Sequence, residues 1–263
     1  MTKKTTQTFA VGTGSVGFFS RRVRTVMTDV AAGALGLIGS QAAPAQAIPG
    51  GTVEVVPSMA ACGDRGFEKS LQCGAAFTDR WLDSWGASDV VEATVVTRPD
   101  AAGVYPSRTT DGVCVYANTA PLAIGLHHCD RYTFVVPRTD RELVSDDVDA
   151  IVLLAHESAH GFQEKAGLMP VETSAIRDTR RMLPLERSAD CWSGAATAWY
   201  IEQDMLDDDA VDGGRELMRS IGGSAGHGNA DAREQAYLTG FEGGSGACNT
   251  ILGRDAFPVR PTR

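Results

Sequence analysis

An uninterrupted apolar run, residues 151–155, lies near the middle of the chain. The run contains no proline or glycine, and such a run is typical of a buried helix. We therefore predict a helix from residue 147 to about residue 165. Further along, apolar residues around Trp192 and Tyr200 recur with a helical period. They predict a second helix that has one apolar face and ends near residue 207.

The rest of the chain predicts a small sheet and flanking helices. An apolar stripe between Phe67 and Trp85 predicts an upstream helix. The remaining predicted elements are strands at 90–97, 113–118 and 131–136 and helices near 215–219 and 230–241. The strand at 131–136 is our candidate for a sheet edge that binds an extended substrate. We predict a predominantly helical α+β fold, in which the two central helices pack beside the sheet.

The first central helix carries the pentapeptide HESAH. His156 and His160 are four residues apart, so they share one face of the predicted helix. Glu157 lies beside that face. In the HExxH arrangement two histidines bind zinc and the glutamate acts as general base. The alternative is a buried helix without metal, in which the polar side chains need other partners to offset the loss of water.

A third zinc ligand is expected from the second central helix. Catalytic zinc sites use three protein ligands and leave one position open. Glu186 and Asp190 are four residues apart and share a face, so an inward Glu186 could complete a site of two histidines and one glutamate. Asp190 could then accept the second ring N–H of a histidine ligand. The alternative is a solvated acidic pair beside Arg187.

Composition limits the classes of partner. The chain is 43% hydrophobic, which is enough for a core, and has a formal net charge of −9. Residues 1–47 carry five of the 24 basic and one of the 33 acidic residues, which leaves the remainder with a net charge of −13. A surface this acidic repels polyanions, so we expect no nucleic-acid partner.

The N-terminus has the pattern of an export signal. Basic residues precede a weakly apolar stretch at 30–39, and Ala45-Gln46-Ala47 has the form of a cleavage site. Ser20-Arg21-Arg22 resembles a twin-arginine signal. The apolar stretch is too short to span a membrane, so we expect no stable membrane insertion after cleavage. We predict a signal peptide at 1–47 and one catalytic domain at 48–263; the alternative is a disordered tail on a cytosolic protein.

Cysteine usage agrees with export. All six cysteines follow residue 47, and an even number in an exported chain predicts up to three disulfides, although free buried thiols are the alternative. Cys62 with Cys73 and Cys114 with Cys129 are sequence neighbours. No CxxC motif is present, so a four-cysteine zinc site is not expected. The adjacent residues His127 and His128 point in different directions, which favours surface or packing roles.

Three linked motifs resemble a known family. HESAHGFQ, ERSADCWSG and HGNADAREQAYLTGFEGGSGACNTI follow one another between about residues 148 and 252. Together they resemble the bacterial neutral zinc metallopeptidases, which carry HExGHHxQ, ExxADCxAG, HGxxxxR, GFxxG and CNT in this order. Ala159, Gly161 and Ser188 differ from the usual family residues, but none of these changes removes a proposed ligand or the base. The fold that the resemblance implies is zincin-like.

The resemblance implies residue roles beyond the pentapeptide. It makes Glu186 the third zinc ligand and Asp190 its neighbour that orients a histidine. It places His227 at the zinc cleft as a donor to the oxyanion or the substrate carbonyl. Arg233 would orient His227 or bind a substrate carboxylate. Cys191 and Cys248 both lie inside family-like motifs, which predicts a disulfide between them.

These expectations combine into a functional hypothesis. We expect a secreted or cell-envelope-associated metallopeptidase that binds one Zn²⁺ and hydrolyses peptides or proteins, with Glu157 as general base. One alternative is an inactive zinc-binding secreted module on a peptidase scaffold. The other is a structural exoprotein without metal. Bound zinc would exclude the last, and hydrolysis that is lost in Glu157→Gln would exclude the inactive module.

Overall fold

A computed structural model describes residues 53–88, 91, 94–97, 105–108, 114–117, 126–129, 132–169, 179–223 and 227–260. The side chains of 105–108, 114–117 and 129 lie outside the description, as does the predicted signal peptide at 1–47. The described helices are α1 Phe67–Ser84, α2 Pro137–Asp140, α3 Asp147–Lys165, α4 Thr179–Glu202, α5 Ala210–Ser220 and α6 Ala230–Leu252. The described strands are β1 Val53–Glu54, β2 Thr94–Thr97, β3 Tyr105–Arg108, β4 Cys114–Ala117, β5 His127–Cys129 and β6 Tyr132–Val135.

Four of these strands form one small sheet in the order β1-β2-β6-β5. β2 and β6 run parallel, whereas β1 and β5 pair antiparallel to their neighbours. β3 and β4 form a separate antiparallel pair. The described residues therefore form a predominantly helical α+β structure with a small sheet, as predicted.

The sheet corrects one prediction. β6, the described part of the predicted strand at 131–136, is not an edge, because it pairs with β2 on one side and with β5 on the other. The edges of the sheet are β1 and β5. The sequence analysis missed β5. Its sequence, His-His-Cys, has neither the alternation nor the β-branched residues that predict a strand. β5 exists because its backbone pairs with β6 and it packs against α3.

The HExxH helix has the predicted bounds, Asp147–Lys165. The side chain of Asp146 caps its N-terminus by accepting a hydrogen bond from the backbone N–H of Asp149. Every residue from Ala150 to Gln163 is buried, so α3 is a core helix rather than a surface helix. α1 and α4 both pack against it.

α4 and α6 pack closely on each other and differ from their predicted bounds. α4 includes Pro184 and ends at Glu202, earlier than residue 207. α6 continues past residue 241 to Leu252, with a kink at Gly244, whose φ of 65° suits glycine. A Cβ atom on Gly240 would lie 2.6 Å from the carbonyl carbon of Cys191. The two backbones therefore approach each other at a distance that only glycine allows.

Two disulfides join described side chains. Cys191 of α4 bonds to Cys248 of α6, which confirms that prediction, and Cys62 bonds to Cys73. The side chains of Cys114 and Cys129 lie outside the description. None of the described helices is both long and apolar enough to cross a membrane.

Candidate metal centre

α3 and α4 bring three side chains to one point. His156 and His160 lie one turn apart on α3, and Glu186 faces them from α4. Glu186 Oε2 is 3.4 Å from His156 Nε2 and 3.8 Å from His160 Nε2. All three side chains are buried, and the three candidate ligand atoms lie within 4.8 Å of one another. This group could hold a metal ion.

The spacing leaves room for a metal ion between the three side chains. For comparison, ligand atoms at about 2.0–2.1 Å from a tetrahedral zinc ion lie roughly 3.3 Å apart, and the two distances to Glu186 Oε2 are 3.4 and 3.8 Å. Glu186 Oε2 is buried and accepts no hydrogen bond from the described residues. A buried carboxylate oxygen normally has a hydrogen-bond donor or a cation beside it. The arrangement therefore fits a cation at the centre of the three side chains.

A hydrogen-bond network fixes the tautomer of His160. Gln163 Nε2 donates to the carbonyl oxygen of Leu185 at 2.8 Å and to Ser188 Oγ at 3.0 Å. Both N–H groups of the amide are therefore used, and Gln163 Oε1 is left as the acceptor for His160 Nδ1 at 2.8 Å. Since Nδ1 carries the proton, the lone pair of His160 Nε2 points toward Glu186.

His156 is oriented by a carboxylate instead. Its Nδ1 lies 2.9 Å from Asp190 Oδ1, so its Nε2 also faces Glu186. Asp190 is fully buried and pairs with Arg233 of α6, with Nε at 3.1 Å from Oδ2 and Nη2 at 2.7 Å from Oδ1. The guanidinium of Arg233 is buried against Asp190.

Glu157 lies next to the three candidate ligands. Its Oε2 is buried and has no hydrogen-bond partner among the described residues, while the backbone N–H of His128 in β5 donates to its carboxylate. Burial, with a smaller contribution from Glu186, raises the pKa of Glu157 to about 8. β5 therefore holds the carboxylate that the sequence analysis identified as a general base.

Three buried carboxylates, Glu157, Glu186 and Asp190, and one buried guanidinium, Arg233, meet at the centre. In the protonation state that binds a metal, with neutral imidazoles and ionised carboxylates, three negative charges and one positive charge leave −2. Burial alone would lower the pKa of His156, but Asp190 and Glu186 outweigh it and raise the pKa to about 10. Burial would also raise the pKa of Glu186, yet His160 and His156 hold it below its ordinary value. A divalent cation would neutralise that state, and without a cation the raised pKa of His156 leaves a compensating proton on its imidazole.

His227 reaches the same centre from the segment that precedes α6. Its Nε2 lies 3.4 Å from Glu186 Oε2, and about half of its side chain, 46%, is exposed. Sequence spacing alone could not show this, because His227 is 67 residues beyond His160. Glu157, Asp190 and His227 therefore come together with the three candidate ligands in the structure. Among the described residues, Arg233 hydrogen-bonds to this group through Asp190, and its charge also acts on Glu157 and His227.

Sequence reasoning missed two parts of the centre. Gln163 follows His160 by three residues on a helix, and this spacing could have suggested a contact. The backbone N–H of His128 could not have been found, because β5 itself was missed. His127 and His128 have the packing roles that we expected: His127 stacks on Phe134 at 5.3 Å, and the His128 side chain is buried.

Comparison of the chain with protein-family models, with curated proteins and with solved structures found no match in any of the three. A functional assignment therefore depends on the geometry of the centre and on the sequence motifs.

Proposed function

We propose that this protein is an exported zinc-dependent hydrolase of peptide bonds. The observation that carries the proposal is the convergence of His156, His160 and Glu186, with Glu157 beside them. A metal site that only stabilises a fold does not need a buried carboxylate next to its ligands. A hydrolytic site does, because a base must accept a proton from the attacking water.

The donor set supports zinc as the ion. Two imidazole nitrogens and one carboxylate oxygen are the ligands of many catalytic zinc sites, and three protein ligands leave a fourth position open. Asp190 and Gln163 hold the second nitrogens of the two histidines, as is usual for metal-bound imidazoles. When bound, zinc supplies a Lewis acid that polarises a carbonyl group and lowers the pKa of a water molecule.

Each remaining residue has a role in this proposal. Glu157 accepts the proton of the attacking water and delivers it to the leaving amine. His227 donates a hydrogen bond to the oxygen of the scissile carbonyl as negative charge develops there. Its partial exposure suits contact with a substrate, and its distance of 3.4 Å from Glu186 supports a role beside the proposed metal.

Two disulfides support export. Disulfides persist in oxidising compartments and are rare in the cytosol, and Cys62–Cys73 and Cys191–Cys248 are both bonded here. The predicted signal peptide at 1–47 points the same way. A peptide substrate outside the cytoplasm is therefore the class that we propose.

Elemental analysis and a digest together test the proposal. The protein is purified from an oxidising compartment with zinc in the medium, and incubated with casein and a peptide library. We expect one zinc per chain and peptide cleavage. Glu157→Gln should keep the zinc and lose the activity, and His160→Ala should lose both. Glu216→Gln, at an exposed position of α5, is the matched control and should change neither.

The outcomes separate the alternatives. Zinc without cleavage of any peptide would identify an inactive zinc-binding module. A folded protein that contains no zinc after supplementation would contradict the proposal and leave a metal-free exoprotein.

A further inference from the structure

A line of three side chains connects α6 to the metal centre. Arg233 of α6 binds both carboxylate oxygens of Asp190, and Asp190 Oδ1 lies 2.9 Å from His156 Nδ1. All three side chains are buried. The line crosses three helices, since Asp190 belongs to α4 and His156 to α3. Among the described residues, the hydrogen bonds of Arg233 therefore reach the centre through Asp190.

We propose that Arg233 is a positioning residue for the metal centre, which fixes Asp190 and thereby the ring of His156. The inference rests on the proposed zinc site. A guanidinium presents two parallel N–H groups, and a carboxylate held by both cannot rotate about its Cβ–Cγ bond. Asp190 Oδ1 then stays in front of His156 Nδ1, and Nε2 stays directed at the position beside Glu186 that the proposed metal would take.

Burial argues for this role over contact with a substrate. The Arg233 side chain is 4% exposed, and its Nε and Nη2 groups are already bound to Asp190. A substrate carboxylate would have to enter the packed region between α4 and α6 to reach it. Removing the guanidinium from Asp190 would also leave a buried carboxylate without a cation, which is unfavourable.

The packing of α4 on α6 explains how Arg233 can hold Asp190 so closely. Gly194 and Gly240 let the two backbones meet, and Cys191, next to Asp190, is bonded to Cys248. These contacts set the distance between the two helices near the Arg233–Asp190 pair. The side chain of Arg233 then spans a fixed gap.

Zinc affinity measured by competition with a chromogenic chelator tests the role. Arg233→Met and Asp190→Asn should each weaken zinc binding by about 10–100-fold, the usual cost of losing a group that orients a ligand. Arg233→Lys keeps the positive charge but not the two parallel N–H groups, and should weaken zinc binding by roughly tenfold. The double variant should bind zinc no more weakly than Asp190→Asn alone, because Arg233 acts through Asp190.

Folding is monitored in parallel by circular dichroism. The double variant removes both buried charges, so it remains informative if Arg233→Met alone fails to fold. Arg219→Met, which removes an arginine from exposed ion pairs on α5, is the control and should keep the wild-type Kd.

Distinct results would overturn the inference. Folded Arg233→Lys and Arg233→Met proteins with the wild-type Kd for zinc would overturn it and leave the proposed function intact. The inference would also be overturned, and the proposed function left intact, if the double variant loses zinc affinity by the product of the two single losses. An unchanged zinc Kd with a raised KM, confined to substrates that have a free carboxylate, would assign Arg233 to the substrate instead. A wild-type protein that binds no zinc would overturn both proposals.

Discussion

Replacing Gly240 by alanine tests the helix crossing on which the metal centre depends. A Cβ atom at this position would lie 2.6 Å from the carbonyl carbon of Cys191 and closer still to its oxygen. The contact is with backbone, so no side-chain rotation can relieve it. Restoring an ordinary contact of 3.4 Å to this carbon alone would move α4 and α6 apart by about 0.8 Å, and the nearer oxygen demands a larger displacement.

Two opposing effects set the size of the change. In a helix interior, alanine is more favourable than glycine by about 1 kcal/mol. Inserting an atom into a packed core costs about 1–3 kcal/mol, occasionally more. Because the clash here is with backbone, we expect a cost at the upper end, and a net loss of roughly 2 kcal/mol in the free energy of unfolding. For a domain of this size, that loss lowers Tm by about 4–8 °C.

The assay is thermal unfolding under oxidising conditions, with zinc affinity measured on the same samples. Gly246→Ala is the control, because a Cβ atom there meets only Val259 at an ordinary 3.5 Å. The control should keep or raise Tm. We also expect Gly240→Ala to bind zinc more weakly, since the helices that carry Asp190 and Arg233 separate. A Gly240→Ala protein as stable as the control would refute the argument for a backbone crossing.

Three further predictions concern the disulfide, His227 and Asp79. Replacing both Cys191 and Cys248 by serine should cost about 4 kcal/mol of unfolding free energy on the chain-entropy model, because the bridge closes a long loop with a sequence separation of 57. His227→Phe should keep the zinc and lower kcat by on the order of a hundredfold. Burial, and then the nearby Asp83, raise the pKa of Asp79 to about 6. The ionised form of Asp79 is therefore unfavourable in the folded protein, and the folded protein loses stability as pH rises from about 4 through 6. Above that range Asp79→Asn should raise Tm by about 2–4 °C or less.

Each of these has a measurement that can contradict it. Chemical denaturation that shows no difference between the oxidised wild type and the double serine variant would remove the disulfide argument. Unaltered turnover in His227→Phe would exclude its role as a donor. The gain from Asp79→Asn should be smaller at pH 5 than at pH 8; a gain independent of pH would show that ionisation is not its cause.

The sequence was sufficient for the features that depend on local spacing. The apolar run 151–155 predicted α3, because a run without proline or glycine indicates a buried helix without reference to a distant part of the chain. The four-residue spacing of His156 and His160 placed both on one face. The spacing of Glu186 and Asp190 did the same for α4. The motif order, through its family resemblance, predicted the disulfide between Cys191 and Cys248.

Features that depend on long-range contacts could not be predicted in this way. β5 was missed because its residues carry no strand pattern, and the sheet edge was assigned to the neighbouring strand. Pro184 lies inside α4, although proline removes a backbone hydrogen bond from a helix interior. Local propensity is a weak signal that tertiary packing overrides.

The sequence by itself determined which residue types are available for a metal centre and which of them share a helix face. Only the tertiary structure decided that the face of α4 with Glu186 meets the face of α3 with its histidines, and that His227 joins them. It also decided that Arg233 is bound to Asp190. These contacts join residues that are far apart in the chain. Their distances are set by side-chain packing and by the glycine crossing of α4 and α6, which no local pattern records.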